Sequence, residues 1–152
     1  MKNLLNMEDN KEMVRRISAV SISNRPLWGK MNVSEMLVHL ADQIRIGLGT
    51  KETKFVGNAI STSIAKYAVL LGVPAPKGKV NTVPELKQGA GGSKTVGFDQ
   101  DKKTLIDMVN DFSKSYGADT FREHPYFGNL SKKQWGRLAY IHINHHLKQF
   151  GR

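Results

Sequence analysis

The sequence predicts an all-α protein: a four-helix bundle with an additional short helix and a long crossover loop, in a single domain spanning residues 1–152. Three observations carry this. Apolar residues recur at helical spacing in separate segments, no segment alternates apolar and polar residues like a half-buried strand, and prolines and glycines gather in one stretch, residues 72–98. A chain of 152 residues is long enough to bury about two-thirds of its unfolded surface without a disulfide or a metal to staple it.

In chain order, Asp9 or Asn10 can cap a first helix running to about Ser21, with Met13, Ile17 and Val20 on one face and Lys11, Arg15 and Arg16 outside it. Asn24, Arg25 and Pro26 break it. Asn32, three residues before Glu35, then starts a second helix, Val33 to Leu48, whose stripe is Val33, Met36, Leu37, Leu40, Ile44 and Leu48, and Gly47 and Gly49 mark its end. A third helix, Asn58 to Leu71, carries Ile60, Ile64, Tyr67, Ala68 and Leu71. Residues 72–98, with Pro74, Pro76, Pro84, four lysines (77, 79, 87, 94) and a Gly89–Gly92 run, form the crossover, read either as a lid or anion-holding rim or as plain connection. Its glycines lack the spacing of a phosphate-binding loop. Phe98 and Asp99–Asp101 open a helix with Leu105, Met108, Val109, Phe112 and Tyr116 inside, stopped by Gly117, and Ser131 with Gln134 opens the closing helix, Lys132 to Phe150.

Composition narrows the chemistry. There is no cysteine, so thiolate zinc sites, iron–sulfur clusters and cysteine nucleophiles are excluded, and any thiol must arrive with a substrate. Lys and Arg number 23 against 13 Asp and Glu, a net charge of +10, but without an arginine-rich run or interleaved aromatics, so nucleic acid is not an expected partner. A small, anionic substrate is, and the expected assembly is a homodimer. No stretch resembles a signal peptide or reaches the roughly 18 apolar residues of a membrane span, which predicts a cytoplasmic protein without a membrane partner.

Four of the five histidines lie between residues 124 and 146. His142 and His146 fall one turn apart on one helix face, a spacing at which two imidazoles can share a zinc, nickel or iron ion. From His124 to Arg152 there is no Asp or Glu, so this helix offers neither a carboxylate ligand nor the glutamate base of a zinc protease. Further ligands must come from elsewhere, and two arrangements are open: a three-histidine site completed by His39, or a two-histidine–one-carboxylate site using Glu35 or Asp42. Periodicity places His39 away from the centre of its helix's apolar stripe, beside Glu35, Asp42 and Ile46, where the Asn58–Leu71 helix would have to cover it. His145 is a candidate rim or proton-shuttle residue and Gln149 a partner for a ring nitrogen. His124, before a proline, should fix its loop, while Trp28, Phe127 and Trp135 read as core or pocket wall.

The run Trp28–Asp42, the block His124-Pro125-Tyr126-Phe127-Gly128-Asn129-Leu130, and the closing Trp135-Gly136, His142, His145-His146 and Gln149-Phe150 together resemble the DinB-like superfamily, in particular a branch of unknown function. The likeness covers most of the chain and is weakest across residues 51–97. It implies a four-helix bundle holding a divalent metal, zinc or nickel, through His39, His142 and His146. It also implies metal-dependent transfer of a low-molecular-weight thiol such as bacillithiol or mycothiol, with isomerase or hydrolase activity in reserve. The alternative is a non-catalytic metal-binding or stress-response bundle.

Overall fold

The computed structural model describes residues 1–74, 83–115 and 121–152. It is mostly helical, with α1 (Met7–Ser18), α2 (Val33–Leu48), α3 (Ala59–Leu71), a 3-10 turn (Pro84–Leu86), α4 (Phe98–Ser115) and α5 (Lys132–Gln149). A two-stranded antiparallel sheet, β1 (Phe121–His124) and β2 (Gly128–Ser131), precedes α5. The expectation of no strand is thus corrected. Each strand has four residues, too few for alternation to register, and the pairing rests on backbone register, Phe121 opposite Ser131 and His124 opposite Gly128.

Helix starts follow local chemistry. Asn32 and Glu35 cap α2 reciprocally, as Ser131 and Gln134 cap α5, and Gly49, at φ 75°, closes α2 in the left-handed conformation. At α1 the cap is Asn6, which accepts from the N–H groups of Glu8 and Asp9, so the helix begins earlier than expected and ends at Ser18. Asp9 is instead buried, accepting from the Asn3 N–H at 2.8 Å and pairing with Lys2. The expected stop of α4 at Tyr116 and Gly117 lies outside the described residues, as do Lys77 and Lys79.

The core is one cluster in which α2 packs on α4 and α5, and α1 packs on the same two helices. α2 is the centre. Val33, every residue from Met36 to Ile44, Ile46 and Gly47 are buried, polar side included. That side is covered not by α3, which packs on α5, but by the chain around the 3-10 turn. Asp42 shows how firmly. It accepts from the Ser93 N–H and hydroxyl at 2.7 Å each and from Arg45 at 2.8 Å, with Lys51 at 3.4 Å. Burial alone would raise its pKa, but these donors reverse the effect and hold the carboxyl below the usual range.

Gly47 of α2 lies against the Trp135 ring of α5, and a Cβ there would stand 2.9 Å from the indole. Trp135 is pinned by its own N–H donating to the Arg122 carbonyl at 3.0 Å, so the ring cannot yield freely. Gly47→Ala should cost about 1–3 kcal/mol by overpacking, read as a lower urea midpoint with an unchanged slope.

Candidate metal centre

Two helices from distant parts of the chain meet at this site. α5 presents His142 and His146 one turn apart, and buried α2 presents His39 toward them. His142 Nε2 lies 3.0 Å from His39 Nε2 and 3.1 Å from His146 Nε2. Among the described residues these three offer ligand nitrogens that all lie within 4.8 Å of one another.

Hydrogen bonds on the far side of two rings fix what those nitrogens carry. A carbonyl only accepts, so the contact of 3.1 Å between His39 Nδ1 and the Leu86 oxygen requires a proton on Nδ1 and leaves Nε2 with a bare lone pair. The same logic reaches His146 in two steps. Gln149 Nε2 donates to the Trp28 carbonyl at 2.6 Å, which turns its amide oxygen toward His146, and His146 Nδ1–H donates to that oxygen at 2.7 Å. Gly29, at φ 80°, lets the Trp28 loop approach, because a Cβ there would lie 2.8 Å from Gln149 Nε2. Two lone pairs are thereby aimed at His142. The His142 ring is half-buried, and its Nδ1 is buried with no partner among the described residues.

All three rings are held neutral. Burial pushes His146 down to about 3 and His142 well below the usual histidine range, helped in each case by neighbouring rings, and it lowers His39 as well. Neutral imidazole is the metal-binding form. The donor set fits a divalent ion: nitrogen ligands about 2.0–2.1 Å from zinc stand roughly 3.0–3.4 Å from each other, which matches the two ring–ring spacings here. A single proton on His142 Nε2 would satisfy the cluster less well, since it can be donated to only one of the two lone pairs that face it.

The other expected site residues separate into neighbours and non-neighbours. His145 lies beside the cluster, its ring 5.2 Å from that of His146 and 5.8 Å from that of Trp28. Glu35 caps α2 and Asp42 holds Ser93, so neither carboxylate belongs to the group of ligands. Trp135 is core, packed on Gly47 and on the His124 ring at 5.3 Å, and it lies seven residues before His142, about 10 Å along α5. His124 fixes its loop, as expected: Nδ1 accepts from the Tyr126 and Phe127 N–H groups at 3.1 and 3.2 Å, and the ring stacks on Phe127 at 4.6 Å. The residue that sequence reasoning missed is Leu86, whose contribution is a backbone carbonyl and therefore has no side-chain signature.

A polar cleft of about 360 Å³ opens at the start of α2, where Asn32, Ser34 and Glu35 face Arg25, Gln88 and Thr95. Its lining does not include His39, His142 or His146. The crossover lysines that are described, Lys87 and Lys94, are exposed.

The family model that matches the chain, over residues 1–152, is described as protein of unknown function (DUF1569). The chain belongs to that family. No curated protein and no solved structure matches this DUF1569 chain. Among its described residues, no helix is long and apolar enough to cross a membrane.

Proposed function

We propose that this DUF1569 protein is a DinB-like four-helix bundle that binds one divalent ion, zinc or nickel, through His39, His142 and His146, and that it transfers a low-molecular-weight thiol. The observation that carries the metal reading is the pair of Nδ1–H bonds, to Leu86 and to Gln149, which leave bare Nε2 lone pairs converging on His142 in a buried place. Such an arrangement is costly unless a cation sits among the nitrogens. A bound ion with an open position supplies Lewis acidity, lowering the pKa of a thiol or a water. The chain supplies the rest: neutral ligands, a fixed tautomer at two of them, and no cysteine to compete with the substrate's thiol. The cleft at the start of α2 offers Arg25 to an anionic group.

The second reading, a non-catalytic metal-binding bundle, is favoured by the commitment of Glu35 and Asp42, the two carboxylates one turn either side of His39, to hydrogen bonds elsewhere. One series of measurements separates the two. Protein purified without a nickel column should carry close to one equivalent of zinc or nickel by elemental analysis, and its cobalt-substituted form titrated with free cysteine should develop a sulfur-to-cobalt absorption band. Metal without the band supports the non-catalytic reading. Protein with no stoichiometric metal that also takes up none on dialysis against zinc rejects both.

A further inference from the structure

α3 carries a face that no described residue covers. Ile64, Tyr67 and Leu71 lie within about 60° of one another around the helix, and they are 71%, 60% and 73% exposed, followed by Val73 at 55%. The side that packs is the neighbouring one, about a quarter turn around the helix: Leu70 is buried, and the Arg137 guanidinium of α5 donates to its carbonyl at 3.1 Å. These four side chains present roughly 500 Å² of mostly apolar surface, at the upper end of what a monomer leaves uncovered.

We propose that this face is the contact between two copies of the chain, α3 against α3 about a two-fold axis. Two such faces placed together remove roughly 1,000 Å² of surface from water, the threshold for a specific interface before any rim is counted. Electrostatics favours a second copy over an anionic lipid surface. In Ala59–Leu71 the sole charged residue is Lys66, and its ammonium is turned inward to the Asn129 carbonyl at 2.9 Å, just as Arg137 is turned to the carbonyls of Leu70 and Lys2. A lipid-binding helix displays its cations around the apolar face, whereas here they point away from it. On a chain of net charge +10, a neutral apolar face is also where a second copy meets least repulsion. A two-fold axis needs only that the face be complementary to itself, and Tyr67 at its centre is a residue type enriched in such contacts.

The test uses the full chain, because it has no cysteine of its own. Sedimentation equilibrium should show a concentration-dependent dimer for the wild type and a monomer for the Ile64→Glu/Leu71→Glu variant, with unchanged circular dichroism because both positions are exposed. Tyr67→Cys should form a disulfide-linked dimer under mild oxidation, whereas Lys11→Cys, on an exposed face of α1, should not. A wild type that stays monomeric at high concentration overturns the proposal, as does a dimer that survives the double glutamate substitution. Monomeric protein that sediments with phosphatidylglycerol vesicles through this same face would give the surface to lipid instead.

Discussion

His142→Leu protein, freed of metal at pH 7.5, is expected to unfold within about 1 kcal/mol of the wild type, yet to lose the stabilisation that zinc gives the wild type. Free zinc at a thousand times its Kd stabilises a binding protein by about 4 kcal/mol, worth about 10 °C in Tm for a chain of this size. In the variant that shift should vanish. The small metal-free effect follows from two opposing changes. Leucine removes a ring whose Nδ1 is buried without a partner among the described residues, a gain of about 1–3 kcal/mol, but it leaves the Nε2 atoms of His39 and His146, which now face His142 at 3.0 and 3.1 Å, against hydrocarbon. Gln149→Leu acts one step further out. Without the amide oxygen at 2.7 Å, His146 can place its proton on either nitrogen, and zinc affinity should fall about 10- to 100-fold. Differential scanning calorimetry with and without zinc reads both variants. A wild type whose Tm ignores zinc, or a His142→Leu variant that responds as fully as the wild type, would remove the three-histidine site.

What the sequence revealed about this protein depended on how local each signal was. The starts of α2 and α5 are written in four residues each, Asn32 to Glu35 and Ser131 to Gln134, and both boundaries stand where the capping pattern puts them. The pairing of His142 with His146 is equally local, one turn of one helix. His39 is different. Its inward position depends on a carbonyl 47 residues downstream and on the chain through Ser93 covering the polar side of α2, and no period in α2 itself encodes that cover. α3 shows the complementary limit. Helical spacing found its apolar stripe, but a stripe does not say which way it faces, and here Ile64, Tyr67 and Leu71 face outward. The hairpin before α5 was illegible because Phe-Arg-Glu-His and Gly-Asn-Leu-Ser hold one large apolar residue each, so backbone pairing alone defines it.

The metal-free protein should lose stability steeply in mild acid, and His124 is the cleanest place to see why. Its ring is buried and held neutral, with burial pushing its pKa down to about 3, while in the unfolded chain it titrates near 6.5. Between those values the unfolded state binds a proton that the folded state refuses, so stability rises with pH there. The contribution is fully present above about pH 6.5 and drains away as pH falls toward 3, at about 1.4 kcal/mol per pH unit for each such histidine. His146, also held down to about 3 by burial, doubles the slope, and the metal-free wild type should therefore lose at least about 2.7 kcal/mol per unit below pH 6. His124→Asn isolates one share. Asparagine keeps an acceptor for the Tyr126 and Phe127 N–H groups that Nδ1 now receives, so the loop retains its hydrogen bonds while the proton site disappears. Loss of the stack on Phe127 and of the contact with Trp135 lowers stability at every pH, but only the missing titration flattens the profile. Urea unfolding at pH 7, 6 and 5 with a chelator present should show the variant's slope lower by about 1.4 kcal/mol per unit. An unchanged slope would mean that His124 is protonated in the folded state, which its two accepted hydrogen bonds do not allow.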